Sequence, residues 1–192
     1  MITIMNGMRV SKPVREAHRA AILDQAGRLF GRRGIDAVAI ADITAAAGRT
    51  HGGFYGHFAS KQALAAAVVR DNLLTGAAAW QLRADRARAA GGDPLEAVIR
   101  GYLTEKHRDA PESGCCLASL GPEVMRAGPP LADALREGTE ALLAVLTPLA
   151  PAGKAAGILA TMLGGINLSR ALAADPAASR AALDAAIAAA LS

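Results

Sequence analysis

The sequence contains few of the residue types that mark secreted, metal-binding or β-rich proteins. Its two cysteines are adjacent, at Cys115 and Cys116, which excludes a disulfide framework and a CxxC metal site. Aromatic residues make up 3% of the chain and β-branched residues are sparse, whereas alanine and leucine are abundant. Because alanine and leucine favour helices, while β-branched and aromatic residues favour strands, we expect an almost entirely α-helical protein.

Long apolar runs and catalytic motifs are missing as well. No stretch approaches the roughly 18 uncharged residues of a membrane span. The first ten residues lack the features of a signal peptide, so we expect residues 1–10 to form a disordered tail and the protein to be cytoplasmic. No Glu-x-x-His pair, GxSxG, phosphate loop or HExxH occurs in the chain. We therefore predict neither an enzyme, nor a metal site, nor a cofactor.

Positive charge is concentrated at the N-terminal end. Residues 1–62 hold nine Lys and Arg against four Asp and Glu, a net charge of +5, and the rest of the chain has a net charge of −1. A basic N-terminal third on a nearly neutral body is typical of a nucleic-acid contact confined to one end. A solvated basic face explains the charge alone equally well.

The first helix is predicted over Ser11–Arg33. Apolar residues recur there at helical spacing, and Gly34 supplies the residue at which such a helix ends. Arg15 and Arg19 lie near its start and either contact phosphate or remain solvated. We interpret this helix as the support of a small domain over residues 11–62.

Two short helices separated by a tight turn follow the first helix. The pattern predicts a helix over Ile40–Ala47, a turn at Gly48 that needs positive φ, and a second helix over Thr50–His57 with Thr50 as N-cap. This is a helix-turn-helix. The pair Gly52-Gly53 costs about 1 kcal/mol per glycine inside a helix, which is reasonable where the backbone must approach another molecule closely.

The spacing within the second short helix separates buried from exposed side chains. Phe54 and Phe58 lie four residues apart and are predicted to face the core. Tyr55 and His57 then point toward solvent or phosphate. Lys61 falls in the first turn of the next helix, where a cation opposes the helix dipole, so a nearby anion would explain its presence.

A set of spaced positions across the first 65–70 residues carries a family resemblance. These positions read Ile22-Leu23-x-x-Ala26-x-x-Leu29-Phe30-x-x-x-Gly34, then Ile43-x-x-x-Ala47-Gly48, then Gly53-Phe54-Tyr55-x-His57-Phe58-x-Ser60-Lys61-x-x-Leu64. In type and order they resemble the TetR-type family of bacterial transcriptional repressors. The resemblance implies an N-terminal three-helix DNA-binding domain and a C-terminal helical domain for ligand binding and dimerisation.

The same resemblance implies which residues contact an operator. Thr50, His51, Gly52 and Gly53 would face base edges in the major groove, whereas Tyr55, His57 and Lys61 would hold phosphates. Two positions depart from the family pattern. Ala39-Ile40 offer no side-chain cap, and Arg49 occupies a position that is usually aliphatic. Arg49 either adds a DNA contact or weakens packing between the two short helices.

Residues 63–192 are predicted to form the regulatory and dimerisation domain. Capping residues, prolines and glycines predict helices over residues 60–88, 93–108, 113–128, 129–146, 152–174 and 177–191, which gives about nine helices in the whole chain. The last two helices each carry an apolar face that is either internal core or half of a dimer interface. The family resemblance, and the need for two half-site readers, favour a homodimer.

The effector is less well defined by the sequence. Candidate ligand-lining residues are Trp80, Tyr102, His107, Met125 and Met162, and each is equally explained by core packing. Cys115 and Cys116 lie near a helix start, where the dipole lowers thiol pKa values. They either sense oxidants and electrophiles or fill space in the core.

The leading hypothesis is a homodimeric transcriptional regulator, and the family resemblance implies that it acts as a repressor. It would bind a palindromic double-stranded DNA operator and release it when a small hydrophobic or electrophilic effector binds. One alternative is a helical-bundle enzyme or hydrophobe carrier with an incidental basic N-terminus. Another is an architectural DNA-binding protein, because the Gly52-Gly53 surface has few hydrogen-bonding side chains.

Overall fold

The computed structural model describes residues 11–192, so the tail predicted at residues 1–10 lies outside the described residues. Within residues 11–192 the chain forms ten helices and no strand, which confirms the predicted all-α fold. These are α1 (Lys12–Arg33), α2 (Ile40–Ala46), α3 (His51–Tyr55), α4 (Lys61–Ala89), α5 (Pro94–Tyr102), α6 (Glu105–Asp109), α7 (Cys116–Ala127), α8 (Leu131–Leu146), α9 (Ala155–Ala171) and α10 (Pro176–Ala190). Over this part of the chain, no helix is long and apolar enough to cross a membrane.

Helices α1, α2 and α3 form the N-terminal head around a small apolar core. Ile22, Ala26 and Phe30 are buried on one face of α1, four residues apart along the helix. Ile43 of α2 and Phe54 of α3 are fully buried in the same cluster. The predicted first helix is confirmed, and its buried face is what holds the two short helices together.

Helix α2 begins at the predicted position although Ala39 provides no side-chain cap. The N–H of Ala39 donates instead to the Asp42 carboxylate, at 3.2 Å to Oδ2. This bond satisfies one of the donors left free at a helix start. Gly48 follows with φ of +64°, which confirms the predicted turn at a residue that tolerates positive φ.

Helix α3 has the predicted N-cap but is shorter than predicted. Thr50 Oγ1 accepts the N–H of Gly53 at 3.3 Å. The helix runs from His51 to Tyr55, whereas the pattern predicted a helix reaching His57. The next helix, α4, also begins with a side-chain N-cap, since Ser60 Oγ accepts the N–H of Ala63 at 3.0 Å.

The prediction of one continuous helix over residues 93–108 is wrong. The structure has α5 and α6 instead, separated at Leu103, whose ψ of 71° is not helical. Two contacts favour the break: Leu103 is buried in the core, and Thr104 caps α6 by accepting the N–H of His107 at 3.1 Å. This break accounts for ten helices where about nine were predicted.

The body is built on two close helix pairs. Helix α4 lies along α8, where a Cβ at Gly138 would overlap the side chain of Leu73. Helix α9 lies along α10, and the buried Ser169 and Ser179 exchange hydrogen bonds, each hydroxyl donating to the other residue's carbonyl at 2.8 and 2.7 Å. Helix α4 also packs on α1, so it joins the head to the body.

Candidate nucleic-acid interface and effector cavity

The outer edge of α3 is open to solvent. Its exposed residues are Thr50, His51, Gly52, Gly53 and Tyr55, and the Tyr55 side chain is 55% exposed. Phe54 and Phe58 are buried, so the predicted division between inward and outward side chains is confirmed. The four residues predicted to face base edges are therefore accessible together with Tyr55, and their contacts with DNA stay a prediction.

Basic side chains of α1 border this edge. Arg15 donates from Nη2 to the carbonyl of Gly56 at 2.9 Å, which ties α1 to the end of α3. The guanidinium of Arg19 lies 5.0 Å from the centre of the Phe58 ring, a cation–π contact. The rings of His18 and His57 are 6.3 Å apart.

These cations act on His57. Burial lowers the pKa of His57, and the positive charges of Arg15, His18, Arg19 and Arg49 lower it further. A neutral imidazole at physiological pH offers one N–H donor rather than a full charge. His57 is therefore suited to a hydrogen bond with a phosphate oxygen, while the neighbouring arginines supply the charge.

Arg49 lies on the surface at the turn between α2 and α3. Its side chain makes no hydrogen bond or ion pair with any residue in 11–192, although its backbone N–H donates to the carbonyl of Thr44 at 2.7 Å. With His18 and His57 it lines a small cleft of about 230 Å³. Within the described part of the chain, Arg49 is thus an exposed residue beside α3 whose side chain has no partner.

Lys61 has a different environment from the one predicted. Its ammonium points back to the turn between α1 and α2 and donates to three backbone carbonyls: Ile35 at 2.9 Å, Asp36 at 3.3 Å and Val38 at 3.0 Å. An ammonium has three N–H donors, so none is left for a phosphate in this arrangement. The carbonyl oxygens take the place of the anion expected from the unfavourable position of a lysine at a helix start.

A cavity of about 950 Å³ lies between the head and the body. Residues of α1, α4, α5 and the segment 104–116 line it. Five of the seven predicted ligand residues are among them: Trp80, Tyr102, His107, Cys115 and Cys116. The structure thus brings residues from α4, α5, α6 and α7 to one cavity wall.

The two methionines predicted to line a ligand pocket do not reach this cavity. Met125 is 62% exposed on α7, and Met162 is fully buried within the core on α9. Both predictions rested on residue type, and the helical faces on which these residues lie point elsewhere. Neither methionine therefore lines this cavity.

The aromatic residues of the cavity form a connected cluster. The Trp80 and Tyr102 rings are 5.4 Å apart and perpendicular, and the Tyr102 and His107 rings are 4.4 Å apart. The Tyr102 hydroxyl is buried and has no partner at hydrogen-bonding geometry among residues 11–192; burial raises the pKa of Tyr102, and the neighbouring Cys115 thiol raises it further. This aromatic part of the cavity suits an apolar group of a ligand, whereas charged residues such as Asp71 and Arg83 line other parts of it.

The contacts of His107 define its tautomer. Nδ1 lies 2.9 Å from the Tyr102 carbonyl and must donate to it, and Nε2 accepts the N–H of Cys115 at 3.0 Å. Burial lowers the pKa of His107 despite the opposing hydrogen bond to Tyr102, and Arg170 adds to the lowering. The imidazole is thus neutral and joins α6 to the start of α7.

The environments of both cysteines disfavour thiolate chemistry. Burial raises the pKa of Cys115 and of Cys116, and the Cys116 thiol donates to the Val69 carbonyl at 3.7 Å. Reactive cysteines are deprotonated and accessible, because the thiolate is the nucleophile. Among residues 11–192, no group of three His, Cys, Asp or Glu side chains is placed to hold a metal ion.

Two further residues, His18 and Glu123, contribute to this region and were not predicted from the sequence. His18 follows Arg15 by three residues on α1, a helical spacing that places both on one face. That spacing was a usable signal. Glu123 of α7 accepts hydrogen bonds from the head, but its partners lie 87 and 88 residues away in sequence. No local sequence pattern therefore predicts this contact.

Known proteins provide independent comparisons. Residues 22–68 match the family described as "Bacterial regulatory proteins, tetR family". No curated protein matches the chain.

Solved structures resemble the chain over nearly its whole length. A TetR-family regulator from Agrobacterium tumefaciens has a TM-score of 0.71 at 20% identity, covering 91% of this chain and 97% of that one. The reduced form of NemR from E. coli has a TM-score of 0.70 at 19% identity, covering 88% and 95%. SCO4454, a TetR-family regulator from Streptomyces coelicolor, has a TM-score of 0.68 at 21% identity, covering 92% and 95%. Residues 22–68 thus resemble the tetR family of bacterial regulatory proteins, and residues 11–192 share the fold of these TetR-family regulators.

Proposed function

We propose that the protein represses transcription as a homodimer that binds a palindromic operator through α3 and releases it when a small, largely apolar ligand occupies the cavity. The observation that carries this proposal is the accessible edge of α3, bordered by Arg15, Arg19 and Arg49. It combines a surface that fits a major groove with cations that attract the phosphate backbone.

Gly52 supports close approach of α3 to DNA. A Cβ built on Gly52 would meet no protein atom within 4 Å, so packing does not require glycine there. Glycine nevertheless costs about 1 kcal/mol relative to alanine within a helix. An external molecule that approaches the backbone supplies a reason for that cost. Gly53 differs, because a Cβ there would lie 3.3 Å from Thr50 Oγ1, the capping oxygen.

Base contacts would come from Thr50 and His51, and phosphate contacts from Tyr55, His57 and Arg49. The first two are the largest polar side chains at the start of α3. The His51 and Tyr55 rings are 5.5 Å apart, so the two side chains act as one exposed unit. Phosphate contacts from the surrounding residues would set the orientation of α3, and the α3 side chains would select the sequence.

An exposed apolar stripe on α9 and its end supports a homodimer. Ala160, Gly164, Leu168 and Leu172 are four residues apart and exposed, with Leu168 at 54% and Leu172 at 37%. A Cβ on Gly164 would meet nothing within 4 Å, so a second backbone has room to approach. A second copy is the proposed occupant, because two α3 helices are needed to read two half-sites.

The effector proposal rests on the cavity and its aromatic cluster. Trp80 and Tyr102 present apolar rings, and the unpartnered Tyr102 hydroxyl is available to one polar atom of a ligand. The raised pKa values of both thiols favour reversible binding over covalent capture of an electrophile. Because α1 forms one wall of the cavity, a ligand that widens it would displace the head and lower DNA affinity.

A mobility-shift titration with the fragment upstream of the gene tests the proposal. We expect a shift at nanomolar protein that resists excess unrelated DNA, and a tenfold or larger loss of affinity in Arg49→Ala and His51→Ala together. Equal competition by unrelated DNA would instead support an architectural protein. Absence of any shift, with tight binding of an apolar fluorescent probe in the cavity, would support the hydrophobe carrier.

A further inference from the structure

The turn between α1 and α2 is held from both sides by residues outside it. The backbone N–H groups of Ile35 and Asp36 donate to the two carboxylate oxygens of Glu123, at 3.1 Å to Oε2 and 2.8 Å to Oε1. Gly34 precedes them with φ of +79°, and a Cβ there would lie 3.1 Å from Glu123 Oε2. Positive φ and a close carboxylate both favour glycine at this position.

The carbonyl groups of the same turn are bound by Lys61 from α4. The turn is therefore fixed by a carboxylate on its N–H side and by an ammonium on its carbonyl side. Glu123 belongs to α7 in the body, whereas Lys61 belongs to the helix that joins head and body. Charged partners give the strongest class of hydrogen bonds to backbone groups.

We propose that Glu123 is a positioning residue through which the body fixes the turn that leads into the helix-turn-helix. Its carboxylate holds the segment that leads directly into α2, so a shift of α7 is passed to α2 and α3 through two hydrogen bonds. The role as a control of DNA affinity rests on the function proposed above. The mechanical role of Glu123, which is to hold the turn between α1 and α2, does not rest on that function because it depends only on contacts within the protein.

A second contact lies beside the Glu123 contact and links it to the cavity. Arg32 of α1 pairs with Glu112 at 2.9 Å, and a Cβ at Gly31 would lie 2.8 Å from the Pro111 carbonyl oxygen and the Glu112 Cα. The segment from Pro111 to Cys116 lines the cavity and leads into α7. A ligand in the cavity would therefore contact the segment that leads into α7, the helix that carries Glu123.

Hydrogen exchange in the full-length protein tests the mechanical role without DNA. In Glu123→Gln the side chain keeps its length, but its amide nitrogen faces one of the two N–H donors. We expect exchange of the Ile35 and Asp36 amides to rise about tenfold, as expected when a charge-assisted hydrogen bond is lost, with faster exchange across α2. Glu140→Gln is the matched control, because Glu140 pairs with Arg136 on the exposed face of α8. Its exchange pattern should match the wild type.

Binding of the gene's upstream fragment provides the second readout. We expect Glu123→Gln to lose about tenfold in affinity, equivalent to one charge-assisted hydrogen bond, with the salt dependence unchanged because Glu123 touches no phosphate. Unchanged exchange at Ile35 and Asp36, or equal acceleration of all amides, would overturn the inference. Local acceleration with unchanged affinity would also overturn it. If the wild type binds no DNA at all, the proposed function fails, and the exchange pattern still decides whether Glu123 fixes the head.

Discussion

Replacing Lys61 with methionine tests whether this lysine is structural or a phosphate contact. Methionine retains most of the aliphatic stem but removes the ammonium, which leaves the carbonyls of Ile35 and Val38 without their donors at 2.9 and 3.0 Å. A hydrogen bond to a charged group is worth about 1.5–3 kcal/mol. Because these carbonyls are partly buried and can regain some water, we expect a total loss of about 2–3 kcal/mol.

Thermal unfolding at fixed protein concentration measures this loss. For a chain of this size, each kcal/mol shifts Tm by about 2–4 °C, so Tm should fall by about 4–12 °C. Lys154→Met is the control, because Lys154 is exposed and its side chain makes no hydrogen bond within the described residues. Its Tm should stay at the wild-type value.

DNA binding completes the test of Lys61. We expect Lys61→Met to bind more weakly, because the helix-turn-helix loses its support, while the slope of log affinity against log salt stays the same. If Tm is unchanged and the slope falls by about one unit, Lys61 is a phosphate contact. The structural role derived from its three carbonyl partners would then be refuted.

Three further predictions concern the cavity and the dimer. The folded-state pKa of His107 lies below its unfolded value of about 6.5, so the unfolded chain binds the proton first and the stability of the fold falls as pH drops below about 7. In chemical unfolding curves, His107→Gln should therefore lose less stability between pH 7 and pH 5 than the wild type. An equal loss would contradict a neutral imidazole that makes two hydrogen bonds. Cys115 and Cys116 should react with a thiol reagent at least tenfold more slowly in the native protein than in denaturant, and rapid native labelling would restore the electrophile-sensor hypothesis. Leu168→Glu should give a monomer in sedimentation velocity whereas Leu82→Glu, at a similarly exposed leucine of α4, should stay dimeric; a dimeric Leu168→Glu would rule out the α9 stripe as the interface.

Local sequence signals were sufficient to predict the head. Gly48, Thr50 and the Phe54–Phe58 spacing each act within a few residues, and the structure has the turn, the N-cap and the buried face where they indicate. The end of α3 was less well predicted, since Tyr55 rather than His57 is its last residue. Helix ends depend on weak competing contacts, so errors of this size are expected there.

Features that depend on distant contacts could not be read from the sequence. The break between α5 and α6 occurs where Leu103 turns into the core, and the surrounding pattern is otherwise helical. The partners of Lys61 lie 23 to 26 residues earlier in the chain. Periodicity identifies which residues share a helix face, but it does not identify what that face meets. Residue type also carries no information on orientation, so it could not indicate that Met125 and Met162 lie away from the cavity.

Selection of bound genomic fragments by the full-length protein tests the central claim most directly. We expect enrichment of one palindromic motif, with half-sites separated by about 34–36 Å along the DNA or a further whole turn. In His51→Ala, the preference should relax at one position in each half-site, while total binding to unrelated DNA stays the same. If the wild type enriches no motif, or if His51→Ala leaves the motif unchanged and lowers all binding equally, α3 does not read the operator sequence.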